Sequence, residues 1–466
     1  MMELDAVIAA NRFGLGARPG ELALIAANPR GWLLNQVGNT AACQITADGL
    51  MSGTQAFEAL QAYLQARNAQ QRGGDAVRFQ ADERGRLANL VGQTIGRDIE
   101  ARIQHAITTP ASFGERWVQF WSNHFTVAAR SAQTTPFPGT FEREAIRPHV
   151  WGRFETLLIA AETHVGMLIY LDQAQSIGPN SQAAQSGAGQ RRRAGLNENL
   201  AREILELHTL GVNGGYQQAD VTEFARALTG WTIAGPRVRR LAGNAQIGEV
   251  VFVPALHEPG PRRIMGRSFA ASGKNQALDI LRFLAGQPVV ARQIATKLAR
   301  HFVADDPPQS LIARLETNFL ATQGDLSALA KTLIKSPEAW MPEAGKFKTP
   351  NDFLISTMRA GGVASTSTQA LRGTFEQLGQ APWRAPSPKG WPDVATEWAA
   401  PDAILKRIDW SNLAADALGE STHPVRFAEE ALGPALRDTT RTAISRAQTA
   451  RQGLVLALMS PEFQRR

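Results

Sequence analysis

Apolar residues recur every three or four positions along most of this chain, and this spacing limits the folds it can adopt. The pattern is clearest at residues 55–70 and 82–108, where it places the apolar side chains on one face of an α-helix. It lapses at about 229–272, where Gly, Pro and β-favouring runs such as VVFV (250–253) predict short strands. We therefore expect a mainly α, multi-helical globular fold with a small β-containing insertion.

Residues 173–195 interrupt the helical pattern with a stretch rich in Gly, Ser and Gln. A loop of this length is uncommon in a compact domain unless it is functional or disordered. We interpret it as a flexible loop between an N-terminal helical region at 1–172 and a C-terminal helical region at 196–466, which carries the insertion at about 229–272. Because a polar helix follows it directly, this loop is also a candidate lid.

Composition and charge exclude several classes of protein. The 466 residues are 44% hydrophobic and carry a net charge of +7. The longest basic run is RRR at 191–193, so nucleic acid is not an expected partner. Cys43 is the only cysteine, which excludes an intramolecular disulfide and a cysteine-based zinc site.

No segment of the sequence has the pattern of a membrane span or a signal peptide. No stretch reaches the ~18 uninterrupted apolar residues that a spanning helix needs. The first residues include Glu3 and Asp5 and have no long apolar core. We therefore expect a cytoplasmic location, with export alongside a partner as the alternative.

The densest group of polar and charged residues lies at 197–216, NENLAREILELHTLGVNGGY. On a wheel of ~100° per residue, one arc collects Glu198, Asn199, Arg202, Glu203 and Glu206. His208 falls on the apolar face, ~140° from Glu203, which argues against one metal ion held by both. The arc is either a solvated face with Glu–Arg pairs four residues apart or part of a site, and the polar helix start, which favours anions, supports the site.

Two histidines lie on the apolar faces of separate predicted helices. His124 belongs to a helix whose start, Ser112 with Glu115 three residues later, predicts a capping box. Burial keeps an imidazole neutral, the form suited to metal ligation or general-base catalysis. Our hypothesis is that His124 and His208 converge beside a carboxylate. The alternative is that each is a hydrogen-bonded core residue, which is the usual role of a lone histidine such as His301.

The candidate site residues follow from these patterns. The candidate catalytic residues are His124, Glu144, Asn199, Glu203 and His208, and a divalent metal is a candidate cofactor. The candidate substrate-binding residues are Arg202, Glu206, His257 and Trp391.

The last two of these residues lie outside the polar helix. His257 is in the insertion, where a turn either positions it over a cleft or leaves it exposed. Trp391 ends a Pro-rich loop that also contains Lys389. Tryptophan faces beside cations commonly hold sugars or acidic ligands, but such loops equally often pack as plugs against helices. The chain has no phosphate-binding loop, no HExxH and no GxSxG motif.

Local motifs occur along nearly the whole chain: WVQFWSNHFTV (117–127), EREAIRPHVWGRF (142–154), YLDQAQSIGPNS (170–181), NENLAREILELHTLGVNGGY (197–216), ALTGW (227–231), ALHEPGPRRIMGR (255–267), KLARHFVADDPP (297–308), GKFKTPNDF (345–353) and SPKGWPD (387–393). Together they closely resemble the bacterial family known as domain of unknown function 1800. The resemblance implies relatives that are often exported and often encoded beside a protein related to alkaline phosphatases and sulfatases. It implies no established activity, substrate or catalytic residue.

Two functions are therefore expected. The first is a hydrolase or metal-assisted enzyme that acts on a polymer or cell-envelope substrate, with its centre on residues 197–216. The second is a non-catalytic partner or scaffold for the phosphatase- or sulfatase-like protein that the resemblance implies.

Overall fold

Helices make up most of the structure, as the apolar periodicity predicts. The computed structural model describes residues 2–71, 77–186, 195–343, 345–365 and 367–466. Within these residues the α-helices, α1 to α23, span Met2–Ile8, Glu21–Ala26, Pro29–Leu34, Gly53–Gln71, Val77–Thr108, Ser112–His124, Pro138–Phe141, Phe154–Glu162, Val165–Tyr170, Gln182–Gln185, Asn199–Glu203, Gln218–Leu228, Lys274–Ala285, Pro288–Phe302, Gln309–Ala321, Leu326–Lys335, Pro350–Ala360, Thr368–Leu378, Ala395–Trp398, Pro401–Leu418, Pro424–Leu432, Asp438–Ser445 and Ala450–Leu458.

Four short strands lie inside the predicted insertion. Strand β1 (Trp231–Ile233) pairs antiparallel with β2 (Val250–Phe252), and β3 (Arg262–Ile264) pairs with β4 (Arg267–Phe269). The second pair is a tight hairpin whose turn residues, Met265 and Gly266, both have positive φ, as two-residue turns between twisted strands require. The expected fold class, mainly α with a small β-containing insertion, is confirmed.

The predicted loop at 173–195 is only partly described. The described part contains a 3-10 turn at Gln173–Gln175 and the short helix α10. Residues 187–194, which include the basic run, lie outside the described residues.

Two large apolar clusters form most of the core, and a small third cluster, of Val238, Val253 and Leu256, lies in the insertion. The larger one takes buried residues between Ala6 and Trp340, from both sides of residues 173–195. The second large cluster combines the C-terminal half of α5 with helices from Phe353 to Phe463. The aromatic face of α6 lies in the larger cluster, where Trp117 stacks on Trp151 with ring centroids 5.7 Å apart. This packing fixes α6, the helix from which the site described below is built.

A buried ion-pair network joins α6 to its neighbours. The guanidinium of Arg147, which is fully buried, lies 2.7 Å from Glu115 and 2.6 Å from Glu142. Burial would raise the pKa of Glu142, but Arg102 and Arg147 outweigh it and lower that pKa to about 2. The predicted capping box is wrong: α6 begins without a side-chain cap, and Glu115 stabilises Arg147 instead.

Three π-helical segments, Ala9–Phe13, Glu142–Ile146 and Ile204–His208, lie in or beside the core. The backbone N–H of Arg147, for example, donates to the carbonyl of Glu142 five residues earlier, at 2.9 Å. Such segments are rare in proteins as a whole, but they occur frequently at functional sites. The third segment, Ile204–His208, is π-helical where the helical wheel of residues 197–216 assumed an α-helix. The side chains that lie on the same face therefore differ from those the wheel predicted. None of the described helices is long and apolar enough to cross a membrane.

Candidate active site

A polar cavity of about 100 Å³ lies beside α6. One wall is the polar face of α6, a second is the start of α17, and the third is the loop at 380–393, with His301 at the end of α14. The main polar and aromatic residues of the lining are Arg102, Arg116, Gln119, Ser122, Asn123, His301, Asn351, Asp352, Trp383, Trp391 and Asp393.

The loop at 380–393 is attached to α6 through Asn123. The side-chain amide of Asn123 donates to the carbonyl of Trp391 at 3.0 Å, and its oxygen accepts from the N–H of Trp391 at 2.8 Å. Gly390 makes this approach possible: its φ is +84°, and a Cβ there would lie 2.5 Å from the carbonyl oxygen of Asn123. This attachment places Trp391, a predicted substrate-binding residue, in the cavity wall.

His301 and Asp393 form a histidine–carboxylate dyad in the cavity wall. Nδ1 of His301 donates to Oδ2 of Asp393 at 2.6 Å, whereas Nε2 has no hydrogen-bond partner among the described residues. Burial lowers the pKa of His301 although Asp393 opposes the shift. His301, together with Lys346 and Arg466, holds the pKa of Asp393 well below its usual range against the effect of burial. At neutral pH the dyad is therefore a neutral imidazole beside a carboxylate, with one ring nitrogen free to accept a proton.

Cations surround this dyad. Arg116 and Arg466 each lie 3.0 Å from the buried carboxylate of Asp352. The ammonium of Lys346 lies 3.2 Å from Asp393 and also pairs with Asp305. Burial would raise the pKa of Asp352, but Arg116 and Arg466 hold it well below its usual range. Both carboxylates are thus ionised and fixed in place by partners on other elements.

Trp383 has a backbone conformation that large side chains rarely adopt. Its φ is +52°, and its carbonyl accepts from the N–H of Ala129 at 2.7 Å. The indole N–H donates to Glu142 at 3.2 Å, and the guanidinium of Arg102 lies 5.6 Å from the ring centroid. Strained conformations of this kind persist where the surroundings impose them, and they cluster at binding and catalytic sites. Trp383 therefore marks this wall as a candidate binding surface.

His124 and His208 lie close together, with ring centroids 6.2 Å apart. Both side chains are buried. Nε2 of His124 donates to the carbonyl oxygen of His208 at 3.1 Å, and Nδ1 accepts from the ammonium of Lys297 at 3.1 Å. Burial, reinforced by Lys297, holds the pKa of His124 well below its usual range. Both ring nitrogens of this neutral histidine are therefore occupied by protein groups.

The partner of His208 is a residue that the sequence analysis did not consider. Nδ1 of His208 lies 2.7 Å from Oε1 of Glu162, and both side chains are fully buried. Glu162 ends α8, FETLLIAAE, where a carboxylate closes a strongly apolar helix. That contrast is the sequence signal that could have identified it.

The wheel that separated Glu203 from His208 is wrong over the π-helical segment Ile204–His208. In a π-helix, residues five apart lie about one turn from each other, so His208 returns towards Glu203. Burial raises the pKa of Glu203, and the imidazole of His208 is the main opposing influence. The structure thus pairs His208 with Glu162 of α8, and the π-helical turn places Glu203 on the same side of its segment as His208.

The remaining polar residues of the segment form local pairs. Arg202 contacts Glu198 at 3.1 Å and Glu206 at 3.5 Å, which matches the predicted pairs four residues apart. The backbone N–H of Asn199 donates to the side chain of Asn197 at 2.9 Å. Burial and Glu206 raise the pKa of Tyr216 to about 12.

Glu144 and His257 occupy two other places. The carboxylate of Glu144 accepts from His164 at 2.9 Å and from the N–H of Gly53 at 2.8 Å. Nδ1 of His257 donates to the carbonyl of Thr229 at 2.8 Å inside the insertion. Among the described residues, neither side chain makes a hydrogen bond or an ion pair with His124 or His208. No group of three or more His, Cys, Asp or Glu side chains in the described chain has the geometry of a metal site.

Sequence reasoning missed most of the cavity. It treated His301 as a core residue and did not single out Asp393, Arg116 or Asp352. One signal was available, since Arg116 is a charged residue in a helix that is otherwise strongly aromatic. The approach of Asp393 to His301 across 92 residues had no local signal.

The fold and the cavity define a mainly helical protein with a polar, histidine-containing pocket. A family model described as "Protein of unknown function (DUF1800)" matches residues 8–465, so the chain belongs to this family, as its motifs suggested. No match was found among curated proteins or among solved structures.

Proposed function

We propose that this protein is a hydrolase whose active site is the cavity around His301 and Asp393. The observation that carries the proposal is Nε2 of His301, a buried ring nitrogen with no hydrogen-bond partner among the described residues, on a neutral imidazole that Asp393 orients and whose side chain lines the cavity. A positioned base of this kind accelerates proton transfer from water or a hydroxyl group by about 10²–10⁴-fold.

The proton-transfer step follows from the geometry. Nε2 of His301 accepts a proton from an attacking water molecule, while the N–H at Nδ1 keeps its hydrogen bond to Asp393. The carboxylate of Asp393 stabilises the imidazolium that forms, which is the role of the carboxylate in histidine-based triads. The same proton is then available for the leaving group.

The cavity wall supports a polymer or cell-envelope substrate. Trp383 and Trp391 line it, and indole faces pack against sugar rings and other partly apolar groups. The volume of about 100 Å³ admits only a few water-sized groups. We therefore expect that one end or one branch of a larger substrate enters, and that the rest stays outside.

A centre on residues 197–216 is the competing proposal. The proximity of Glu162, Glu203 and His208 supports it. Both proposals describe a hydrolase, so the reaction alone does not separate them. Variants of His301 and His208 can.

The test is a screen for hydrolysis of chromogenic glycosides, carboxylic esters, phosphate esters and sulfate esters, followed by His301→Gln. We expect His301→Gln to remove the activity found while the thermal unfolding midpoint stays close to that of the wild type. His149→Gln is the matched control, because the His149 side chain is half-buried outside the cavity.

Two results would contradict the assignment to this cavity. Full activity in His301→Gln would exclude it, and loss of activity in a folded Glu203→Ala, His208→Ala double variant alone would favour the competing centre. An inactive protein that co-purifies from its native source with a phosphatase- or sulfatase-like protein would favour the scaffold function.

A further inference from the structure

Lys297 is a half-buried lysine with neutral partners. Its ammonium donates to the carbonyl of Leu207 at 2.9 Å and to Nδ1 of His124 at 3.1 Å. An ammonium has three N–H donors, and the third has no hydrogen-bond partner among the described residues. Two N–H groups of the Lys297 ammonium are thus fixed by hydrogen bonds, and the third remains free among the described residues.

No acid compensates this charge. The lysine ion pairs of the described chain involve Lys346 and Lys406, and no carboxylate among the described residues pairs with Lys297. A second cation, Lys389, belongs to the loop at 380–393, where the next residue, Gly390, packs against the carbonyl oxygen of Asn123, the chain neighbour of His124. Burial and Lys389 lower the pKa of Lys297 to about 8. Two cations on elements that pack together, with no carboxylate among the described residues paired with Lys297, create a positive potential that an anion would relieve.

His124 orients the ammonium of Lys297 by accepting one of its N–H groups. The carbonyl of His208 can only accept, so Nε2 of His124 carries the hydrogen and Nδ1 presents a lone pair to Lys297. The histidine therefore orients the ammonium without neutralising it.

Lys297 also lies next to the cavity. It precedes His301 by four residues on α14, and residues four apart lie on the same helix face with Cβ atoms about 5–6 Å apart. Lys389 is on the loop that supplies Trp391 and Asp393 to the cavity wall. A ligand group that contacts both lysines can therefore belong to a molecule whose reacting part lies beside His301.

We infer that Lys297 and Lys389 form an anion subsite that adjoins the cavity and binds an oxyanion of the substrate, a carboxylate, phosphate or sulfate group. The subsite deepens the proposed function, on which its role in substrate binding rests. It defines the substrate class as an acidic polymer or envelope component. The alternative is that Lys297 only caps the end of the helical segment at His208, since cations there stabilise the last carbonyl groups.

The experiment measures thermal unfolding of the full chain with sodium phosphate, sulfate or acetate, and with chloride at equal ionic strength. Because a ligand that binds only the folded state raises the unfolding midpoint, at least one oxyanion should raise it more than chloride does. Because sulfate and phosphate also stabilise folded proteins without binding, the anion whose shift falls most in Lys389→Ala identifies the group that the subsite prefers.

Lys389→Ala is the decisive variant, because Lys389 is exposed and its loss should leave folding intact. We expect the affinity for the preferred anion to fall on the order of fivefold, the effect of removing one nearby charge in water. Lys331→Ala, another exposed lysine on α16, is the control and should bind as the wild type does.

A second measurement distinguishes the subsite from a helix cap. Anion affinity should weaken as the pH rises through about 8, where Lys297 loses its proton, and Lys297→Arg should remove this dependence because arginine stays charged. Equal shifts with chloride and oxyanions, or an unchanged affinity in Lys389→Ala, would overturn the subsite. His301→Gln should still bind the anion, so failure of the subsite and failure of the catalytic proposal are separate results.

Discussion

Two histidines contact the ring of Phe120 and have different environments. The ring of Phe120 is 6.3 Å from that of His124 and 5.4 Å from that of His301. His124 uses both nitrogens in hydrogen bonds to protein groups. His301 uses only Nδ1, and its other nitrogen has no partner among the described residues. Whether a buried histidine is a candidate for catalysis therefore depends more on whether one ring nitrogen lacks a hydrogen-bond partner than on how deeply the ring is buried.

The same contrast holds for the carboxylates beside these histidine clusters. Glu162 is fully buried against His208 in the core, whereas Asp393 lies in a cavity wall and contacts His301. Loss of the first should act mainly on stability, and loss of the second mainly on catalysis. The following variants test this difference.

Asp393→Asn should have the largest effect. We expect kcat to fall by about 10²–10⁴-fold, because the imidazole loses the carboxylate that orients it and stabilises its charged form. The acid limb of the pH profile of kcat/KM should also move to lower pH, since Asp393 raises the pKa of His301. Steady-state kinetics on the substrate found by the screen measure both effects. An unchanged rate would contradict the role of the dyad.

Glu162→Ala should destabilise the fold by about 3–5 kcal/mol, the usual cost of removing one partner of a buried pair. Urea unfolding followed by circular dichroism gives the change in the free energy of unfolding. The fraction that remains folded should keep the kcat of the wild type. Glu162→Gln, which retains a hydrogen-bond acceptor, should recover part of the stability. A large loss of kcat in this folded variant would instead place catalysis at the Glu162–His208 cluster.

His124→Phe should have a smaller effect, about 1–3 kcal/mol, because the carbonyl of His208 and the ammonium of Lys297 each lose a buried partner. The same urea titration measures it. We expect little change in kcat for small substrates, in contrast to His301→Gln. An activity loss equal to that of His301→Gln would show that the two histidines act together.

The smallest effect is a change in the pH dependence of stability. The pKa of His124 lies below its usual range in the folded protein, whereas in the unfolded chain it is about 6.5. Below pH about 6.5 the unfolded chain binds a proton that the folded protein does not. The free energy of unfolding therefore decreases as the pH decreases, until the pKa of the folded state is reached. His124→Phe should show a weaker fall over this range in urea titrations. An identical slope in both proteins would contradict the low pKa.

Much of the architecture could be predicted because it depends on local patterns. The three- and four-residue spacing predicted the helices, and the lapse at about 229–272 marked the region that contains all four described strands. The apolar face of α6 correctly predicted that His124 is buried. For Trp391 the sequence left two alternatives open, a binding residue or part of a plug, because its neighbours were unknown.

The site itself was only partly predictable. The sequence indicated that His124 and His208 are core-facing, but their partners Lys297 and Glu162 lie on other helices. The wheel failed for His208 because it assumed α-helical geometry where residues 204–208 are π-helical. A π-helix has no simple periodic pattern in side-chain polarity, so packing around Ile204 and Leu205 is not visible in sequence spacing.

The sequence by itself determined the helical class, the family and the set of polar residues available for chemistry. These properties depend on the order of side chains along short segments, which directly controls helix faces and turns. Only the tertiary structure decided which residues meet: His301 with Asp393, Arg116 with Asp352, and Lys297 with His124. These pairs join distant segments, and their distances depend on how whole helices pack, which no local pattern specifies.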